Sequence, residues 1–128
     1  MLRHEVGSAP LYAVFGIAIM MILALGAIQV ALTLYSGNVV RASAYEAARA
    51  AIEVDGSQDD ARRVAAEVLR RSAGNLVDDA SISIAQRDHG AGSVVIVEVR
   101  GRHTSLGPVP LTFPIRARVS SLVEELPE

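Results

Sequence analysis

At 128 residues, 51% of them hydrophobic and with a net charge of −2, the chain has room for about one domain, and its charge gives no reason to expect nucleic acid as a partner. It has no cysteine, so no disulfide supports the fold, and all 12 of its basic residues are arginine. The apolar excess is concentrated near the start. Residues 6–40, 35 in a row, carry no formal charge, and from Ala9 to Tyr35 only Pro10, Gly16, Gly26, Gln29 and Thr33 interrupt the apolar run.

A helix needs about 20 such residues to cross ~30 Å of hydrocarbon, so the segment is long enough to span a bilayer. A secretory signal has an apolar core of only about 7 to 15 residues before its small-residue cleavage site. Ala42, Ala44 and Ala47 could mimic that site but lie too far along, so an uncleaved single-pass anchor is expected. Arg3 and His4 face Glu5 on the N-terminal flank, whereas Arg41 and Arg49 face Glu46, Glu53 and Asp55 on the other. The more positive N-terminus points to N-in and C-out in the cell membrane. Tyr12 and Tyr35 stand near the two ends of the run, where aromatic belts form. Gln29 and Thr33, one helical turn apart inside the span, mark a candidate helix–helix contact, although a threonine can also bond to its own backbone.

Helical character continues past the span. After Ser36-Gly37-Asn38 comes "VVRASAYEAARAAIEV", rich in alanine and free of proline. Gly37 costs about 1 kcal/mol there and bends a helix more readily than it ends one. One helix from Pro10 to Val54 would be about 65 Å long. Ala44, Ala47, Ala48 and Ala51 recur on one face, and small side chains let another element come close. Packing on the chain's own C-terminal part is the favoured use of that face, and packing on a helix of another subunit is the alternative.

"DGSQDD" then combines a turn with a helix start, with Ser57 as N-cap and Asp59 and Asp60 in the first turn. Ala61, Val64, Ala65, Val68 and Leu69 give one apolar face, and Arg62, Arg63, Glu67, Arg70 and Arg71 the other. Gly74 follows the last turn, as a C-terminal stop requires. From Ser81 the period changes to two: Ile82 and Ile84, then Val95, Val97 and Val99, then Leu111, Phe113, Ile115, Ala117 and Val119 alternate with more polar neighbours. The turns "RDHGAGS" and "TSLGPVP" separate them, which predicts a three-stranded antiparallel meander, with Pro114 placing the last strand at an edge.

The expected fold class is therefore α+β: a long N-terminal transmembrane helix extending outside the membrane, one amphipathic helix, and a small antiparallel three-stranded sheet. Residues 1–8 are a short cytoplasmic leader, 9–36 the transmembrane helix, 37–54 its extramembrane continuation, and 55–128 a small α/β extracytoplasmic domain. With so few residues, the outer domain would gain from using the alanine face of the long helix as a third wall.

Enzymatic chemistry has little support, and neither a cofactor nor a catalytic residue is expected. His4, His89 and His103 show no ligand spacing and read as surface histidines, so no metal site is expected. Asp55, Ser57 and Asp59 begin like a calcium loop, but Asp60 stands where glycine is needed and Ala66 where the closing glutamate belongs. There is no nucleophile elbow and no phosphate-cradling glycine loop.

Three stretches carry a family likeness: "GSAPLYAVF", then "LGAIQVALTLYSGNVVRASAYEAARAA", then "GSVVIVEVRG" followed by "PLTFPIRARV". On these the chain resembles the TadE-like proteins, the minor pseudopilin class of tight-adherence pilus assembly systems, in the form found in high-GC Gram-positive bacteria. The resemblance implies a pilin-like fold, with other pilin or pseudopilin subunits and the assembly machinery as partners. It also implies cleavage after Gly7 by a prepilin peptidase, which would make Ser8 the new N-terminus. The fifth residue of the mature chain would then be Tyr12, where the family usually has glutamate. The alternative is a single-pass accessory membrane protein with a small extracytoplasmic binding domain.

Overall fold

The computed structural model describes residues 7–53, 57–90, 92–105 and 111–123. Two compact units divide the chain, Met1–Ala31 and Leu32–Glu128. The expected α+β class is what the structure has: one long apolar helix, a second helix and a three-stranded antiparallel sheet.

Helix α1 runs Ala9–Ile52, 44 residues, and passes through Gly37 unbroken. The Ser8 carbonyl accepts the Tyr12 amide at 3.0 Å and opens the helix, and Pro10 sits in the first turn, where no intrahelical amide is lost. Within the first unit every described residue up to Ile28 is exposed, so the apolar side chains from Leu11 onward face outward on all sides of the helix.

The second unit continues α1 and adds α2 (Gln58–Ser72), a short 3-10 turn (Gly74–Leu76), β1 (Val77–His89), β2 (Gly92–Thr104) and β3 (Thr112–Val123). Helix α2 begins as its sequence predicts, with Ser57 Oγ accepting the Asp60 amide at 3.1 Å. At its end the Ala73 amide bonds to the Leu69 carbonyl at 2.8 Å, and Gly74 takes the left-handed backbone (φ 53°) that ends a helix without strain on a side chain. Ala61, Ala65 and Leu69 are buried, whereas Val64 and Val68 of the same predicted face are half-buried.

The sheet has the order β1-β2-β3 with antiparallel neighbours, so β3 is an edge strand and Pro114 lies on it, as expected. The strands are longer than the alternation indicated. β1 starts at Val77, absorbs an irregularity between Asp78 and Ser81, and carries Asp79 at a φ of 51°. That extra length is a bulge, which breaks the period of two and hides the strand start from a pattern reading. At the other end Arg87, Asp88 and His89 pair with Val94, Ser93 and Gly92, so most of the predicted turn "RDHGAGS" is ladder. Backbone pairing needs no apolar side chain, and polar strand ends exposed to solvent therefore read as a turn.

One core holds the unit together: Val39, Val40, Ala44, Ala47 and Ala48 of α1, Ala61, Ala65 and Leu69 of α2 with Ala73 just after it, Val95, Val97 and Val99 of β2, and Ala117 of β3. Leu69 is the one member larger than valine. The predicted inward set of β3 ends sooner than its pattern, since Ile115 still packs on this cluster while Phe113 and Leu111 remain exposed. Val54, the predicted end of the long helix, lies outside the described residues.

Candidate interaction surfaces

A helix that is apolar all round needs an apolar environment on all sides, either lipid or other helices. α1 is one helix long and apolar enough to cross a membrane, with an 18-residue window of mean hydropathy 2.5. Gly7 and Ser8 precede it as a bend, both exposed, and Tyr12 in its first turn is 72% exposed. Further along, Gln29 and Thr33 are half-buried, and each takes part in an interaction.

The alanine face is placed differently. Ala44, Ala47 and Ala48 are buried in the chain's own core and Ala51 is half-buried against it, so this part of the candidate helix–helix contact is occupied within the chain. The buried stripe also begins two turns earlier than the alanines, at Ser36, and runs through Val39, Val40 and Ser43. Both serines are satisfied on their own helix: Ser36 Oγ donates to the Leu32 carbonyl at 2.9 Å and Ser43 Oγ to the Val40 carbonyl at 2.7 Å.

His103 corrects the expectation of a surface histidine. It is fully buried, and it is the largest fully buried side chain among the described residues. Its parity on β2 continues Val95, Val97, Val99 and Gly101, so the alternation, extended two steps, would have pointed it inward. The ring Nδ1 lies 2.9 Å from Ser36 Oγ and 3.2 Å from the Leu76 carbonyl. A carbonyl only accepts, so Nδ1 carries the proton and donates. Nε2 is buried without a hydrogen-bond partner among the described residues. His4 lies outside the described residues, as does the side chain of His89.

Tyr35 also does more than sit at an aromatic belt. Its hydroxyl donates to the Ser72 carbonyl at 2.7 Å, satisfying one of the terminal carbonyls of α2 that has no partner within the helix.

On the opposite face of the sheet, β2 presents Ile96, Glu98, Arg100 and Arg102. Glu98 is buried beneath two arginines: Arg118 on β3 donates to its Oε2 through Nη2 at 2.6 Å and Nε at 3.0 Å, and Arg100 Nε donates to its Oε1. The hydrogen bonds from Arg118, with those from Arg100, hold the Glu98 carboxyl below its usual range although burial pushes it up. Arg116 stands directly across from Arg100 and is exposed. Among the described residues its guanidinium makes neither a hydrogen bond nor an ion pair.

Searches of protein families, of curated proteins and of solved structures find no match for this chain.

Proposed function

We infer that the chain is a pseudopilin-like subunit of a tight-adherence type pilus assembly system, of the TadE-like kind, which acts by packing its N-terminal helix against those of other pilin subunits. In this reading the protein sits in the cell membrane with its N-terminus inside and its small α+β domain outside, and the assembly machinery and a prepilin peptidase are its partners. The observation that carries it is the division of labour along α1. The stripe from Ser36 to Ala48 is used up in the chain's own core, whereas the apolar surface before Ala31 is exposed on every side. Contacts with other subunits in the bilayer therefore fall to the first part, where Gln29 lies, with Thr33 one turn further on.

A second reading, a single-pass accessory protein with a small extracytoplasmic binding domain, is favoured by Tyr12. An intramembrane carboxylate at that place would seek the free amine of a neighbouring subunit, and a phenol makes no such pairing. The two readings separate on the intact mass and N-terminal sequence of the protein extracted from membranes of cells carrying the whole assembly system. A mature chain starting at Ser8, lost when Gly7 is replaced by leucine, supports the pseudopilin reading. A chain that keeps Arg3 and Glu5 in those cells overturns pilin-type processing and moves the function to the accessory reading.

A further inference from the structure

Among the described residues after Tyr35, the exposed large apolar side chains are Tyr45, Ile52, Leu111, Phe113 and Leu122. Single apolar residues on a surface need no explanation, but two of these stand together. Phe113 pairs with His103, which puts it on the face of the sheet that the helices cover. Leu111, two residues earlier, continues that parity, and its carbonyl accepts the Ser105 amide at 3.1 Å. Both side chains lie past the end of the core, 50% and 44% exposed for Leu111 and Phe113.

Contacts along α1 fix which end of the sheet this is. Ser36 bonds to His103, whereas Tyr45, Arg49 and Ile52 share a cleft with Val119 and Ser121, whose partners on β2 are Val97 and Val95. Followed toward its N-terminus, α1 therefore tracks β2 from Val95 to His103 and on toward Ser105. Phe113 is level with Ser36, and Leu111, about 7 Å further along the strand, is level with Leu32. At Leu32 the second unit begins, and there the apolar run of α1 joins it. Tyr35, 47% exposed, stands at the same level with its hydroxyl on Ser72.

The stretch Ala9–Ile28, exposed at every residue, is about 30 Å of helix, the thickness of the hydrocarbon layer. A headgroup layer adds about 5–7 Å on each side, and Leu32 follows Ile28 by about 6 Å of helix. We propose that Leu111 and Phe113, with Tyr35 beside α1, form a rim of the second unit that rests in the lipid headgroup and upper acyl layer. Leucine and aromatic side chains are what interfacial segments bury there, and lipid removes from water the apolar surface that the core leaves uncovered. The proposal rests on α1 being a membrane anchor and is independent of the pilus reading.

The chain has no tryptophan, so a single introduced indole reports alone. The full chain is placed at one copy per lipid nanodisc, with either a nitroxide on the lipid headgroup or bromines deep in the acyl chains. Leu111→Trp should lose emission to the headgroup nitroxide, Phe113→Trp somewhat less, and both should lose little to the bromines. Ile19→Trp, midway along Ala9–Ile28, should show the reverse. Leu122→Trp, 72% exposed and about 30 Å along β3 from Phe113, should be quenched by neither. Quenching of Ile19→Trp by bromines, with Leu111→Trp and Phe113→Trp as unquenched as Leu122→Trp, overturns the rim and leaves the anchor standing. Blue-shifted but unquenched emission from Leu111→Trp and Phe113→Trp also overturns it, because protein and not lipid then covers them. An unquenched Ile19→Trp removes the anchor itself, and the rim with it.

Discussion

Ser36 Oγ and His103 Nδ1 stand 2.9 Å apart across 67 residues of sequence, joining α1 to the central strand of the sheet. The serine gives its own proton to the Leu32 carbonyl and so offers a lone pair to the ring. Ser36→Ala removes that acceptor and leaves Nδ1 with the longer contact to Leu76 alone, which should lower the stability of the second unit by about 1 kcal/mol. Hydrogen exchange of the β2 amides in the full chain reports this as faster opening. Unchanged protection would mean that the contact contributes nothing.

Ala47 is fully buried in a seam of small side chains. Ala47→Leu inserts three heavy atoms where no neighbour can move far and should destabilise the unit by about 1–3 kcal/mol or more. Ile22→Ala, on the exposed part of α1, should leave β2 exchange as it was. If the two substitutions had equal effects, the packing described for Ala47 would be wrong.

Gly101 faces Val77, and a Cβ there would come within 2.5 Å of Val77 Cγ1. Gly101→Ala should therefore cost about 1–3 kcal/mol, and adding Val77→Ala should recover part of the loss. A double variant no better than the single one would refute the contact.

Glu98 supplies the pH dependence of the sheet. Its folded pKa is held below the ordinary value of 4.5 by Arg118 and Arg100, so its stabilising contribution is complete above that value and is lost as the pH falls through the folded pKa. Unfolding of the wild type should become easier below about pH 4.5. Glu98→Gln should be less stable at neutral pH and should fall less steeply in acid. Parallel acid curves for the two would assign the acid transition to other carboxylates.

The elements legible in the sequence are those whose signal is local. α2 carries its own cap at Ser57, a matched charged face and a glycine stop, and all three lie within a few residues of the helix they define. The valines of β2 and the edge position of β3 were readable from alternation and from Pro114. For His103 the alternation carried past Gly101 gives the inward face but not the partners, Ser36 and Leu76, which lie 67 and 27 residues away. Ser36 itself was masked by its neighbours, since Ser-Gly-Asn marks a break in apolarity. In the structure the same serine is the first seat of the buried stripe. The start of β1 was lost to a bulge, and the guanidinium cluster around Glu98 depends on a register that only pairing reveals.

A core built almost wholly from alanine and valine has few rotatable side-chain bonds, so it has little capacity to adapt when a neighbour changes size. Variation among relatives should follow this. Positions 36, 43, 44, 47 and 48 would stay within the set glycine, alanine and serine, while the exposed apolar residues before Ala31 exchange freely among leucine, isoleucine, valine and methionine. The lineage would then be written in a spacing of small residues that general resemblance between sequences scarcely registers, and a relative could share this core while sharing few identical residues.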